Sequence, residues 1–227
     1  VKKLVVLVGA IAVVLGLAGC AGAASPSVSP SATTTSTPTA TPEPTTTAIV
    51  IGADAVRVVD TAGGEREFGY AGPIADVLGA MEAGLGPQTG TTEYPATNHT
   101  VASTAHEFGA LTIFEEHYSE SVVNDVLVSP VWRISTKAAT IGQVHIASAT
   151  GVAVGSSIDD VPGHADPNRL DTLTMNGATS AYILVEASSG STLVPDGTTI
   201  TVGVLAAASA WPGPITQMSA PSQLGGA

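Results

Sequence analysis

The residues best suited to chemistry gather in two stretches. The first runs His106-Glu107 and then Glu115-Glu116-His117, with His99 a short way upstream. Imidazole nitrogens and carboxylate oxygens held together would suit a divalent metal. His106-Glu107 opens the pattern of a zinc-binding helix. That pattern needs a second histidine four residues on, so that both reach one metal from one helix face. Position 110 is Ala110, so the pattern is absent. A site built from His99 or His106 with Glu115, Glu116 and His117 would depend on the fold to assemble it. Left apart, these residues are the solvated end of a strand. The second stretch holds Asp159, Asp160, His164, Asp166 and Asp171. Its oxygens would suit Ca²⁺, but the alternate-position ligands and closing glutamate of a calcium loop are missing. Aspartates so placed ordinarily form turns and cap helices.

Nucleophilic serine chemistry finds no elbow, because Gly155-Ser156-Ser157-Ile158 begins like Gly-x-Ser-x-Gly and breaks off. No glycine-rich phosphate loop, P-loop lysine or dinucleotide fingerprint occurs. Asn98-His99-Thr100 matches a glycosylation acceptor. The sequence therefore assigns no catalytic residue, no metal ligand and no cofactor.

One cysteine, Cys20, stands at the end of an apolar run. Lys2 and Lys3 come first, then fifteen apolar or small residues from Leu4 to Ala18, then Gly19 and Cys20. This is the layout of a secretory signal. At about 1.5 Å per residue the run is short for a hydrocarbon core of about 30 Å. The four residues Leu17-Ala18-Gly19-Cys20 resemble the lipobox of bacterial lipoprotein precursors. The resemblance implies that the Cys20 thiol carries a diacylglyceryl group. It also implies that cleavage between Gly19 and Cys20 makes Cys20 the new N-terminus. Two acyl chains hold a protein firmly at a bilayer where one holds it marginally. Val1 fits a non-AUG start codon, and the Ala-, Gly-, Thr- and Val-heavy composition points to an actinobacterium. The expected location is the extracytoplasmic face of the cell membrane, with the membrane as a partner through the lipid on Cys20.

Charge excludes further classes. The chain has 19 acidic and 7 basic residues, for a formal charge of −12. Loss of Lys2 and Lys3 with the signal would leave five basic residues and a charge of −14. Nucleic acid needs a basic footprint, so it is not an expected partner. With Cys20 alkylated, no thiol remains for a disulfide or a thiolate metal site.

The elements that would position any site begin after a tether. Residues 24–48 are Ser, Thr, Pro and Ala apart from Val28 and Glu43, and Glu43 is the single charge. Such a segment has too little apolar surface to offset its chain entropy. Its prolines favour an extended form that would reach roughly 75 Å. The expected divisions are a signal at 1–19, a lipidated tether at 20–47 and a globular domain at 48–227. Possible halves of that domain are 48–148 and 149–227.

Within the domain, residues 48–51 read as a strand. Residues 55–59 and 66–70 flank Gly63-Gly64 as a hairpin. Gly72-Pro73 opens a helix whose apolar face is Ile74, Val77, Leu78, Met81 and Leu85. Residues 88–107 read as polar and turn-rich. Strands are expected at 111–114, 126–135, 141–148, 182–187 and 199–206, and a last one at 215–218 before a loose tail. Val144 and Ile146 should face inward and His145 outward. Ser156 is the expected cap of a second short helix ending at Val161, and 164–171 should be a loop.

Ile74-Ala75-Asp76-Val77 is echoed by Ile158-Asp159-Asp160-Val161. A duplicated helix-plus-meander unit would produce such an echo. On the turn from Gly155-Ser156-Ser157 to Val161, the arrangement resembles the tandem helix-and-sheet modules of beta-lactamase-inhibitor-like and outer-membrane-assembly lipoprotein domains. The expected fold class is α+β, mostly antiparallel sheet, with one clear amphipathic helix and a second short one. The expected function is a non-catalytic binding or scaffolding module facing an envelope protein or cell-wall partner. The rivals are an envelope hydrolase or metal-dependent enzyme, and a solute-binding lipoprotein of an importer.

Overall fold

The computed structural model describes residues 45–97, 100–118, 130–166, 168–188, 192–193 and 199–223. By internal contacts the chain divides into Val1–Thr41 and Pro42–Ala227, and every described residue lies in the second unit. Cys20, Asn98 and His99 lie outside the described residues.

The chain opens with three strands, β1 (Thr46–Ile51), β2 (Ala55–Asp60) and β3 (Glu65–Gly69). β1 begins two residues before the expected domain start, because Thr46 pairs with Asp60. The β2–β3 turn closes on Asp60, whose Oδ1 accepts the Ala62 and Gly64 amides at 2.8 and 2.9 Å. Helix α1 (Ile74–Leu85) follows Pro73, whose extended backbone forms the N-cap. It buries Val77, Ala80 and Met81, with Ile74, Leu78 and Leu85 packed alongside. Gly86, at φ 89°, ends it.

The stretch expected to be turns holds two strands, β4 (Gly90–Tyr94) and β5 (Ala102–Phe108). β4 is almost wholly exposed and β5 is built on Ser103, Thr104 and Ala105, so neither shows apolar alternation. β6 (Leu111–His117) runs three residues past its expected end, and β7 is Trp132–Thr136. β8 (Thr140–Ile141) and β9 (Val144–Ser148) form a hairpin where one strand was expected, turning through Gly142 at φ 58°. Val144 and Ile146 are buried and His145 is exposed, as period two requires.

The second helix reduces to a single 3₁₀ turn, Ile158–Asp160, capped by Ser157 rather than Ser156. The expected loop at 164–171 instead leads into β10 (Leu170–Met175), which turns through Asn176-Gly177 into β11 (Ala178–Ala187). β12 (Thr192–Leu193) and β13 (Thr199–Ile200) pair with each other. β14 (Val202–Ala208) and β15 (Gln217–Gln223) follow, and β15 overlaps the strand expected at 215–218 and continues through residue 223, where a loose tail was expected.

Two sheets share one core. The smaller has the order β3-β2-β1-β9-β8, with β1 and β9 parallel. A parallel pair needs a long crossover, and α1 with β4 to β7 supplies it. The larger has the order β10-β11-β14-β15-β7-β6-β5-β4. It consists of two four-strand meanders joined at their last strands, where Ile134 lies opposite Ala220 and Thr136 opposite Met218. Ile49, Ile51, Val56, Met81, Ile113, Trp132, Ile134, Ile183, Val204 and Met218 form a continuous buried cluster across both sheets and α1. Burying each large aliphatic side chain contributes about 1.5–3 kcal/mol. The class is therefore α+β, mostly antiparallel, with one α-helix among the described residues.

Candidate functional site

Register decides which of the candidate residues meet. β5 pairs with β6 so that Thr104 lies opposite Glu115 and His106 opposite Ile113, and with β4 so that Glu93 lies opposite Thr104. Thr104, His106, Glu115, His117 and Glu93 therefore share the sheet face that carries Leu111 and Ile113. That face is apolar near Leu111 and becomes polar toward His117. Glu116 points to the opposite face.

His106 sits between two partners. Its Nδ1 lies 3.0 Å from Gln88 Oε1, and its Nε2 lies 3.5 Å from Glu115 Oε2. An amide oxygen only accepts, so Nδ1 carries a proton. Nε2 is buried and makes no hydrogen bond among the described residues, with Glu115 as its neighbouring carboxylate.

Thr104 holds the second constellation. Its hydroxyl lies 2.7 Å from His117 Nε2 and 2.9 and 3.1 Å from the two Glu93 oxygens. A carboxylate accepts, so the hydroxyl proton goes to Glu93 and His117 Nε2–H donates to the hydroxyl oxygen. This reverses the polarity of a hydrolase nucleophile, whose histidine must accept the hydroxyl proton. Thr104 is also buried, at 8% exposure, which shields it from a substrate.

On the other face Glu116 is buried and paired with the Arg133 guanidinium, which stacks over Phe114 with 4.8 Å from its central carbon to the ring centroid. Burial and the Glu116 charge push the neighbouring Tyr118 phenol up to about 12, against a smaller downward pull from Arg133.

The metal candidates are not brought together. His106, His117 and Glu116 each take a different partner, and no group of three His, Cys, Asp or Glu converges to hold a metal among the described residues. In the acidic stretch, Asp159 and Asp160 are exposed and Ser157 Oγ accepts the Asp159 amide. His164 Nδ1 contacts Val161 O at 3.1 Å, and Asp166 accepts from Asn168. Asp171 belongs to β10 and faces outward opposite Tyr182. Ser156 Oγ is engaged with the Ala153 amide.

Sequence reasoning missed Gln88, Glu93, Thr104 and Arg133, which complete these pairs. Recognising β5 as a strand would have set Thr104 and His106 on one face. It also missed the outer face of the larger sheet. There Ser180, Tyr182, Leu205, Ala207, Gln217 and Ser219 line a groove of about 300 Å³. Beside it on β10, Leu173 and Met175 are 50% and 62% exposed. No helix among the described residues is long and apolar enough to cross a membrane. The chain matches no protein-family profile, no curated protein and no solved structure.

Proposed function

We propose that this chain is a lipid-anchored lipoprotein on the extracytoplasmic face of the cell membrane, and that its α+β domain is a non-catalytic binding or scaffolding module of the envelope. The order of Lys2-Lys3, the apolar run and Leu17-Ala18-Gly19-Cys20 supports the anchor. One observation carries the binding role. The outer face of the larger sheet leaves Leu173 and Met175 open to solvent beside the groove at Tyr182 and Leu205. Aliphatic surface of this kind marks interaction sites. A duplicated origin for the halves 48–148 and 149–227 belongs to the same reading. It is supported by two four-strand meanders, one preceded by α1 and the other by the 3₁₀ turn.

The test is in-cell crosslinking and recovery of the lipoprotein, with residues 1–47 fused to an inert domain as the control. A partner enriched by residues 48–227 supports the reading, and recovery no different from the control removes it. The rival envelope enzyme would work at the His106–Glu115 pair, 3.5 Å apart. Stoichiometric metal in the purified protein, or turnover of wall fragments lost in His106→Gln, would replace the binding role with that one.

A further inference from the structure

We infer that β10 is a docking edge for an extended, basic segment of a partner protein, taken up by strand addition. The inference rests on the binding-module reading and names the surface and the chemistry of the partner.

β10 is the terminal strand of the larger sheet, and no described strand pairs with its free side. Such an edge presents unpaired amides and carbonyls to any extended chain. Edges are usually blunted by lysine, proline or a bulge. The β10 sequence Leu-Asp-Thr-Leu-Thr-Met has none of these, and its six pairs with β11 run without a register shift. Alternation puts Asp171, Leu173 and Met175 on the outer face, opposite Tyr182, Ser180 and Ala178. An added strand would lay alternate side chains beside Leu173 and Met175.

The edge is held in advance at both ends. Asn176 and Gly177 take φ of 52° and 81°, the left-handed pair that a two-residue hairpin turn requires. Thr174 and Thr179 join their hydroxyls across the hairpin at 2.9 Å. At the other end Arg169 donates to the Leu184 and Val185 carbonyls at 2.7 to 3.0 Å. A preformed edge reduces the ordering cost of binding.

Charge selects the occupant. Asp171 is exposed on the docking face, and the nearby Arg169 is committed to backbone carbonyls. The whole chain carries 19 acidic and 7 basic residues. A second copy would bring the same carboxylate and the same net charge to the edge. A basic segment neutralises Asp171 across the new strand pair.

The probe is a fluorescein-labelled seven-residue peptide with threonine at positions two, four and six, valine at three and five, and lysine at both ends. It is titrated by anisotropy against the full chain in detergent micelles. Saturable binding is expected, with a glutamate-ended analogue binding roughly threefold more weakly or worse. Asp171→Lys should invert that preference. Leu173→Lys with Met175→Lys should abolish binding, and circular dichroism checks that this variant folds. An alternately N-methylated peptide, unable to complete a ladder, should not bind. Equal affinity for the two charged peptides overturns the inference, as does binding of the methylated one. So does a protein dimer that Leu173→Lys dissociates. If crosslinking recovers a partner whose yield survives the double lysine variant, the docking edge is wrong and the binding module stands. If crosslinking recovers nothing beyond the control, the binding module itself falls.

Discussion

Tyr70 stands edge-on to Trp132, with ring centroids 4.8 Å apart and planes at 61°. The contact ties the end of the β2–β3 hairpin to the middle of the larger sheet. Tyr70 O also accepts the Val131 amide at 2.8 Å, and its hydroxyl donates to Gly52 O at 2.8 Å. Tyr70→Phe keeps the ring contact and leaves Gly52 O unpaired, at a cost of about 1–2 kcal/mol in denaturant unfolding. Trp132→Ala empties a fully buried site and should cost about 3–5 kcal/mol. The Trp132 indole nitrogen has no hydrogen-bond partner among the described residues, so Trp132→Phe should be the milder change.

Arg133 and Glu116 make a one-sided pair. The Glu116 side chain is 3% exposed and that of Arg133 is 39% exposed. Arg133→Ala strands a buried carboxylate and should cost about 2–3 kcal/mol, discounted for the solvent that reaches the guanidinium. Glu116→Gln removes the charge at its source and should cost less. Equal losses in the two variants would show that the charge is not what matters.

Gly203 is required by a close approach. A Cβ there would run into the Glu186 carbonyl oxygen, where β14 passes the irregularity in β11. Gly203→Ala should cost about 3 kcal/mol by thermal or chemical unfolding, because the obstacle is backbone. An unchanged melting temperature would mean that the bulge is absent.

Alkaline stability follows from two phenols. Burial above all, and then Glu186 and Asp54, push Tyr70 well above its ordinary value of 10.0, while Tyr118 is raised to about 12. Below pH 10 both folded and unfolded chains hold these phenols neutral. As pH rises from about 10 to 12 the unfolded chain releases protons that the folded chain keeps, so stability falls across that window. Ultraviolet titration should show two tyrosines ionising late. Arg133→Ala should delay Tyr118 further, because Arg133 draws its value down.

At the N-terminus, Cys20→Ser should leave the protein unprocessed or released; unchanged partitioning into detergent would sink the lipobox reading. Removing residues 24–44 should not alter domain melting. Extending the deletion through Thr47 strips the Thr46–Asp60 pairing and the Thr47 hydroxyl bond to Val59 O, and the melting temperature should drop.

Some of this fold could be read directly from the chain. The spacing of Val77 and Met81 located α1, the alternation around His145 set the faces of β9, and Gly63-Gly64 marked the β2–β3 hairpin. These are local signals, set by backbone periods of 3.6 and 2 and by glycine's freedom at positive φ. Asn176-Gly177, which turns β10 into β11, is a signal of the same kind that the sequence reading passed over. The edge strands β4 and β10 have little burial, so the apolar alternation that reveals a strand was missing there.

The candidate site was a different matter. His106, Glu115 and His117 stand out by residue type, but type does not choose partners. Register gave His106 to Gln88 and Glu115, His117 to Thr104, and Glu116 to Arg133. The β7–β15 seam likewise joins segments more than eighty residues apart, on the shared need of Ile134, Met218 and Ala220 to leave water. The sequence by itself determined where α1 and the apolar strands β1, β2 and β9 lie, the acidic charge, and the lone cysteine behind its apolar run. Only the tertiary structure decided which strands lie side by side, and so which polar groups meet and which edge stays open. Pairing between distant strands is set by burial of the whole core, and no local stretch encodes it.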